Sequence, residues 1–215
     1  MKIKQFTFNP FQENTYIIWD NTKECLIIDP GCYEDFEKKS LQAFIQENKL
    51  NPVKLINTHC HIDHIFGNKF SMETWNINLH MNNEDLPILL SARESAKNYG
   101  FQNFEESPNP KIFLEDGFEI KFGESFLEVL FTPGHSPGHI CLYNKLNKFI
   151  IAGDVLFKGS IGRTDLPGGN FETILHSINT KLKCLNDEVV IYSRHGPSTT
   201  IGDERKYNPF LKQAN

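Results

Sequence analysis

Thr58-His59-Cys60-His61-Ile62-Asp63-His64 is the stretch of this 215-residue chain on which its reading turns. Three imidazoles and a carboxylate fall within six consecutive positions. Side chains whose lone pairs face one another need a proton or a cation between them, so the economical occupant is a metal ion. His59 and His61, two apart, point to the same side of an extended backbone and can reach one ion together, while Cys60 alternates away from them as a packed thiol. Asp63 and His64 fall on a turn or a first helical residue, where their side chains diverge from the first pair. One short loop can therefore serve two neighbouring ions.

Working outward, Val53-Lys54-Leu55-Ile56 reads as the strand that delivers this heptad, and the same design recurs three times downstream. Phe126 to Phe131 runs into Thr-Pro-Gly-His and delivers His135. Phe149-Ile150-Ile151 runs into Ala-Gly-Asp and delivers Asp154, and Glu188 to Tyr192 runs into Ser-Arg-His-Gly-Pro and delivers His195. Each is an apolar, β-rich run closed by turn-prone residues that carry a ligand. Strand ends on one side of a sheet assembly can converge. Five histidines and two aspartates suffice for two divalent cations sharing one carboxylate, and such a pair, about 3.5 to 4 Å apart, lowers the pKa of a shared water toward about 7. Imidazole and carboxylate ligands without thiolate favour zinc, with iron or manganese also compatible.

The remaining sequence bounds the class. Apolar residues make up 39% of the chain, enough for one domain spanning residues 1–215. A formal net charge of -5, spread along the sequence, gives no footprint for a nucleic-acid backbone or an anionic membrane. Residues 2–8 alternate like a strand and lack the continuous apolar run of a signal peptide, and nothing approaches membrane-spanning length. Five scattered cysteines, an odd number, suit reduced thiols and a cytoplasmic setting. Further strands are expected at 14–19, 24–29 and 77–80, with helices over 34–48, from Asp63 to Trp75, and through the eighties and nineties.

The motifs THCHIDH at 58–64, TPGHSPGH at 132–139, AGDVLF at 152–157, GRTDLPGG at 162–169 and RHGP at 194–197 resemble the metallo-β-lactamase superfamily, and within it the glyoxalase II-like, hydroxyacylglutathione hydrolase-like branch. Glu204 to Phe210 is similar to the same branch. The resemblance implies a four-layer αββα sandwich of two mixed sheets flanked by helices, with His59, His61 and His135 on one metal, Asp63, His64 and His195 on a second, and Asp154 bridging. It makes Asp63 and Asp154 the carboxylates of the reacting centre, beside a metal-bound hydroxide, and implies hydrolysis of a small-molecule thioester, with glutathione a possible thiol carrier. The helical C-terminal extension of the larger glyoxalase II enzymes has no counterpart in this sequence. The best-known lactamase subclass has Cys where this chain has Asp154, which argues against an antibiotic-cleaving role. Persulfide dioxygenases, with a single iron, share the motifs and form the competing reading; a metal-stabilised module without catalysis is a third. Oligomeric state stays open between monomer and homodimer.

Two residues are candidates for substrate contact. The forked guanidinium of Arg163, nine residues past Asp154, matches a carboxylate, although pairing with Asp165 competes with that role. Phe157 is placed to line a pocket or to pack in the core. His139 is expected to begin the next strand, His176 to lie on the surface opposite the Phe171, Ile174, Leu175, Ile178 stripe, and His80 to end a strand near a helix cap.

Overall fold

The computed structural model describes residues 1–212, which form two compact units. The first comprises residues 1–114 and 121–126. Its strands are β1 (Lys2–Phe8), β2 (Glu13–Trp19), β3 (Glu24–Ile28), β4 (Asn51–Ile56), β5 (Leu79–Met81) and β6 (Ile112–Phe113), hydrogen-bonded in that order. The β1–β2–β3 meander is antiparallel and β3 to β6 run parallel, so the sheet is mixed. Parallel neighbours need crossovers, and α1 (Asp35–Glu47) supplies the first. Its capping box, Glu34 with Glu37, satisfies N-terminal amides, and Leu41 and Ile45 bury one face against Ile17, Ile27 and Leu55 of the sheet. Each such aliphatic side chain contributes about 1.5 to 3 kcal/mol on burial.

The helix expected from Asp63 to Trp75 is two pieces, α2 (Ile62–Ile65) and α3 (Asn68–Trp75). The break falls at Gly67, whose N–H donates to Pro30 O at 2.7 Å. A Cβ there would lie 2.4 Å from Cys32 Sγ, so the chain turns where only glycine fits. The second expected helix is likewise divided, into a 3₁₀ turn (Asn83–Asp85), α4 (Leu86–Leu90) and α5 (Ala92–Asn98). The division is at Ser91, whose hydroxyl donates to Ile88 O at 3.0 Å.

The second unit comprises residues 115–120 and the chain from Leu127 onward. The second six-stranded sheet has the order β14-β13-β10-β9-β8-β7, with β7 (Glu119–Phe122), β8 (Ser125–Phe131), β9 (Ile140–Asn144), β10 (Phe149–Gly153), β13 (Val190–Ser193) and β14 (Thr199–Thr200). β10 and β13 pair in parallel, after a crossover through α6 (Phe171–Ser177) and a π-helical turn (Ile178–Leu182). A two-stranded hairpin, β11 (Leu156–Phe157) with β12 (Ser160–Ile161), forms its own small sheet beside β13, where the Ser193 hydroxyl donates to Leu156 O at 2.8 Å, and α7 (Ile201–Tyr207) and α8 (Pro209–Lys212) follow β14. Ile174, Ile178, Leu182, Ile201 and Leu211 close the core over Ile150, Ala152 and Ile191. Each unit thus supplies a mixed sheet and the helices that cover it, the α and β layers of the αββα class. Among the described residues, no helix is long and apolar enough to cross a membrane.

Candidate metal centre

In the first unit the ligands are held from behind by a residue outside the heptad. Asp29 follows β3 with φ +44° and is fully buried. Its carboxylate accepts hydrogen bonds from Thr58 N at 2.6 Å, the Thr58 hydroxyl, Asn57 Nδ2 at 3.3 Å and His64 Nδ1 at 3.2 Å. A buried carboxylate is tolerated when its lone pairs are matched in this way. With Nδ1–H donating to Asp29, the His64 ring carries its lone pair on Nε2, 3.4 Å from Asp63 Oδ2. Asn9 Nδ2 donates to Asp63 O at 3.0 Å and to Gly31 O at 2.9 Å, which ties the β1–β2 turn to the start of α2.

His59 is buried, and its ring centroid lies 4.8 Å from that of His61 and 3.9 Å from that of His64. His59 thus sits against both halves of the heptad, while His61 and the Asp63–His64 pair fall in separate ligand groups. Asp29, His59 and His64 together offer ligand atoms within 4.8 Å of one another. Cys60 points away into the core, as expected. Its Sγ meets Met81 Sδ at 3.6 Å, its N–H donates to Asp85 Oδ2, and burial, reinforced by the Asp85 and Asp29 charges, pushes its thiol well above the ordinary range. That thiol is a packing group.

In the second unit, β8 ends at Phe131 and the chain turns through Gly134 to His135. Gly134 has φ +130°, and a Cβ there would lie 2.3 Å from Ile174 N within α6. His135 Nδ1 donates to the backbone O of Arg163 at 2.8 Å, so Nε2 carries the lone pair and faces Asp154 Oδ2 at 3.5 Å. Asp154 follows a register irregularity between Ile151 and Gly153, a device that re-aims a side chain at a strand end. The same Oδ2 lies 3.6 Å from His195 Nε2. Ligands sharing one zinc-sized ion in a tetrahedron stand about 3.3 Å apart, so the separations of 3.4, 3.5 and 3.6 Å fit cation coordination better than hydrogen bonding. The donor set therefore fits divalent ions in each unit.

His139 is a functional residue that its sequence position alone did not assign. It precedes β9, as expected, and is fully buried. Asp154 N donates to its Nε2 at 2.9 Å, which leaves Nδ1–H for the Thr132 hydroxyl at 3.0 Å; Thr132 Oγ1 in turn lies 3.3 Å from Cys141 Sγ. His139 thus holds the backbone of Asp154 rather than an ion. Of the two substrate candidates, Phe157 is half-buried with its ring 6.3 Å from that of His195. The guanidinium of Arg163 makes two 2.7 Å bonds to Asp165, both side chains exposed, and holds the Asp165 carboxyl down at about 2. His176 is exposed on α6. His80 lies within β5 rather than at its end, with Nδ1 directed at Asn78 O and Leu55 O; burial lowers its pKa.

The chain is similar in sequence and fold to known proteins. A family model described as metallo-beta-lactamase superfamily matches residues 8–195. The hydroxyacylglutathione hydrolase GloC of Haemophilus influenzae is 39% identical, with 98% of each chain covered. Among solved structures, BLEG-1 B3 metallo-beta-lactamase superposes with a TM-score of 0.89 at 33% identity, covering 98% of this chain and 99% of that one. TTHA1623 in a di-iron-bound form superposes with a TM-score of 0.87 at 35% identity, covering 97% and 100%.

Proposed function

From the premise that this chain belongs to the metallo-beta-lactamase superfamily of metal-dependent hydrolases, we propose that it hydrolyses acyl thioesters, with an acyl-glutathione such as S-lactoylglutathione as the substrate type. The observation that carries the reading is the arrangement at Asp154, one carboxylate oxygen facing two imidazole nitrogens at 3.5 and 3.6 Å. A carboxylate shared between two cations would face two such nitrogens, which supports the reading. On this reading His59, His61 and His135 would hold one ion and Asp63, His64 and His195 the other, with Asp154 available to both. Bound divalent ions supply a water acidic enough to ionise near neutral pH and a Lewis acid for the carbonyl.

The residues of the chain orient and select. Asp29 and Arg163 O fix the tautomers of His64 and His135 through Nδ1, so both rings present Nε2 without rearrangement. His139 holds the Asp154 backbone at the bulge. Phe157 offers an apolar wall beside His195. Arg163 receives a substrate carboxylate by exchanging it for Asp165, an exchange between exposed groups that costs little. A thiolate whose parent pKa is about 8.5 leaves with little proton assistance, so the site need not provide a general acid. Full-length similarity to a hydroxyacylglutathione hydrolase supports the same substrate class.

Likeness to BLEG-1 favours a second reading, hydrolysis of a β-lactam amide. An amine leaves less readily than a thiolate and needs a proton donor. The test is turnover of S-lactoylglutathione, a second acyl thioester and a β-lactam by metal-reconstituted protein, beside Asp154→Ala and His59→Ala. Thioester turnover that both variants lose supports the proposal. Lactam turnover without thioester turnover overturns it, as does one iron per chain with oxygen uptake on glutathione persulfide.

A further inference from the structure

The β11–β12 hairpin is too small to hold itself. Its strands are two residues each, joined through Lys158 and Gly159, and only Gly159 has positive φ, at +71°. The turn is therefore not of the primed kinds whose twist suits a two-residue hairpin, and an isolated two-stranded ribbon is marginal in water. The tip is instead bonded by two residues of the C-terminal segment. Gly159 N donates to Glu204 Oε2 at 2.8 Å, and Asn208 Nδ2 donates to Ser160 O at 3.0 Å.

Both side chains are buried, Glu204 with 3% and Asn208 with 0% of its surface exposed. A carboxylate in that position needs its lone pairs filled, and Glu204 also accepts from the Thr199 hydroxyl at 2.6 Å and from Asn208 Nδ2 at 2.8 Å. Asn208 Oδ1 accepts from Phe210 N at 3.0 Å, which fixes the amide orientation. An exposed helix face would not spend a buried carboxylate in this way.

We propose that Glu204 and Asn208 are positioning residues that clamp the β11–β12 hairpin and so set the wall, carried by Phe157 beside His195, against which the substrate binds. The substrate half of this inference rests on the hydrolase reading above; the clamp itself does not. Beyond the tip, Gly162 N donates to Val155 O at 3.1 Å, and a Cβ at Gly162 would lie 1.8 Å from Asp154 O. The chain is thus pinned again before Arg163 O reaches His135. Loosening the clamp therefore frees residues 157–160 and leaves the metal ligands in place, so substrate affinity changes while the chemical step does not.

The test compares Glu204→Leu, Glu204→Gln and Asn208→Ala with the wild-type protein. Gln keeps a carbonyl for Gly159 and Asn208, and it directs its amide at the Thr199 hydroxyl, which accepts as well as donates. Amide hydrogen exchange over 156–163 reads the clamp directly. Glu204→Leu and Asn208→Ala are expected to speed exchange at 157–160 by at least about tenfold, while Glu204→Gln matches wild type. For thioester hydrolysis, KM rises about tenfold with kcat and metal content within about twofold, again restored by Gln. Unchanged exchange at the tip overturns the clamp, and faster exchange with KM unchanged overturns its role in binding. If the wild-type protein turns over no thioester, the hydrolase reading falls and the exchange result decides the clamp alone. If Glu204→Leu does not fold, Asn208→Ala carries the same comparison.

Discussion

Replacing His139 by leucine removes the acceptor of the Asp154 amide while roughly keeping side-chain volume. In the wild-type protein that N–H lies 2.9 Å from His139 Nε2 in a fully buried setting, and Thr132 anchors the ring from the other side. A buried donor left without its acceptor costs about 1 to 3 kcal/mol. Thr132 retains Cys141 Sγ as a contact, so its hydroxyl adds little to the loss. For a domain of this size each kcal/mol moves Tm by about 2 to 4 °C, which gives a fall of about 4 to 8 °C for the metal-free protein at the middle of that range. Because Asp154 enters the centre from a bulge held by that bond, zinc affinity is expected to drop by about 10- to 100-fold, the usual cost of losing a group that orients a ligand. His139→Gln places a carbonyl oxygen near the Nε2 position and recovers most of both losses. Melting in chelator and calorimetric titration with zinc measure the two effects separately. A leucine variant that keeps Tm within 1 °C and zinc affinity within about twofold refutes the assignment.

Thiol accessibility gives a count. Cys25, Cys32, Cys60 and Cys141 are buried, with burial pushing the thiols of Cys25 and Cys141 up to about 12, whereas Cys184 is exposed. One fast-reacting thiol is expected in native protein and five in denaturant, and a second fast thiol contradicts the packing described for the core. His80 predicts a pH dependence. Burial holds its folded pKa below the ordinary 6.5, so the unfolded chain takes up the proton first. Stability is therefore full above 6.5 and falls as pH drops from there through the folded value. Urea midpoints of metal-free protein should fall less steeply below pH 6.5 in His80→Gln than in wild type, and parallel profiles count against it. Arg163→Met should release Asp165 toward the ordinary carboxylate range and raise KM for thioesters that carry a carboxylate, without raising it for one that carries none. Equal KM changes for both substrates remove Arg163 from the site.

The strand-end design was legible because it is local: an apolar run, a turn, then a ligand, at residues 53–64, 126–135, 149–154 and 188–195. Asp29 obeys the same rule, since Cys25 to Ile28 run into Asp29-Pro30-Gly31. Its role is not legible in the sequence because it lies 30 positions before His59 and only the parallel pairing of β3 with β4 brings the two strand ends side by side. The Gly67 and Ser91 breaks were illegible for a related reason. Helical periodicity continues across both, and what stops Gly67 is the nearness of Cys32 and Pro30, which a sequence period does not record. Arg163 shows a third limit. Its guanidinium is what the sequence makes visible, yet the atom that holds His135 is its carbonyl oxygen, and every residue type has one.

That contact also distinguishes the two imidazoles held through Nδ1. His64 donates to a buried carboxylate and His135 to a neutral carbonyl. A carboxylate partner draws the ring proton more strongly and leaves more electron density on Nε2 than a carbonyl does. Nε2 of His64 is therefore the more electron-rich donor by construction. The difference grows with burial, and Asp29 and His64 are both fully buried. Asp29 thus tunes the donor nitrogen of His64 without needing to touch an ion itself.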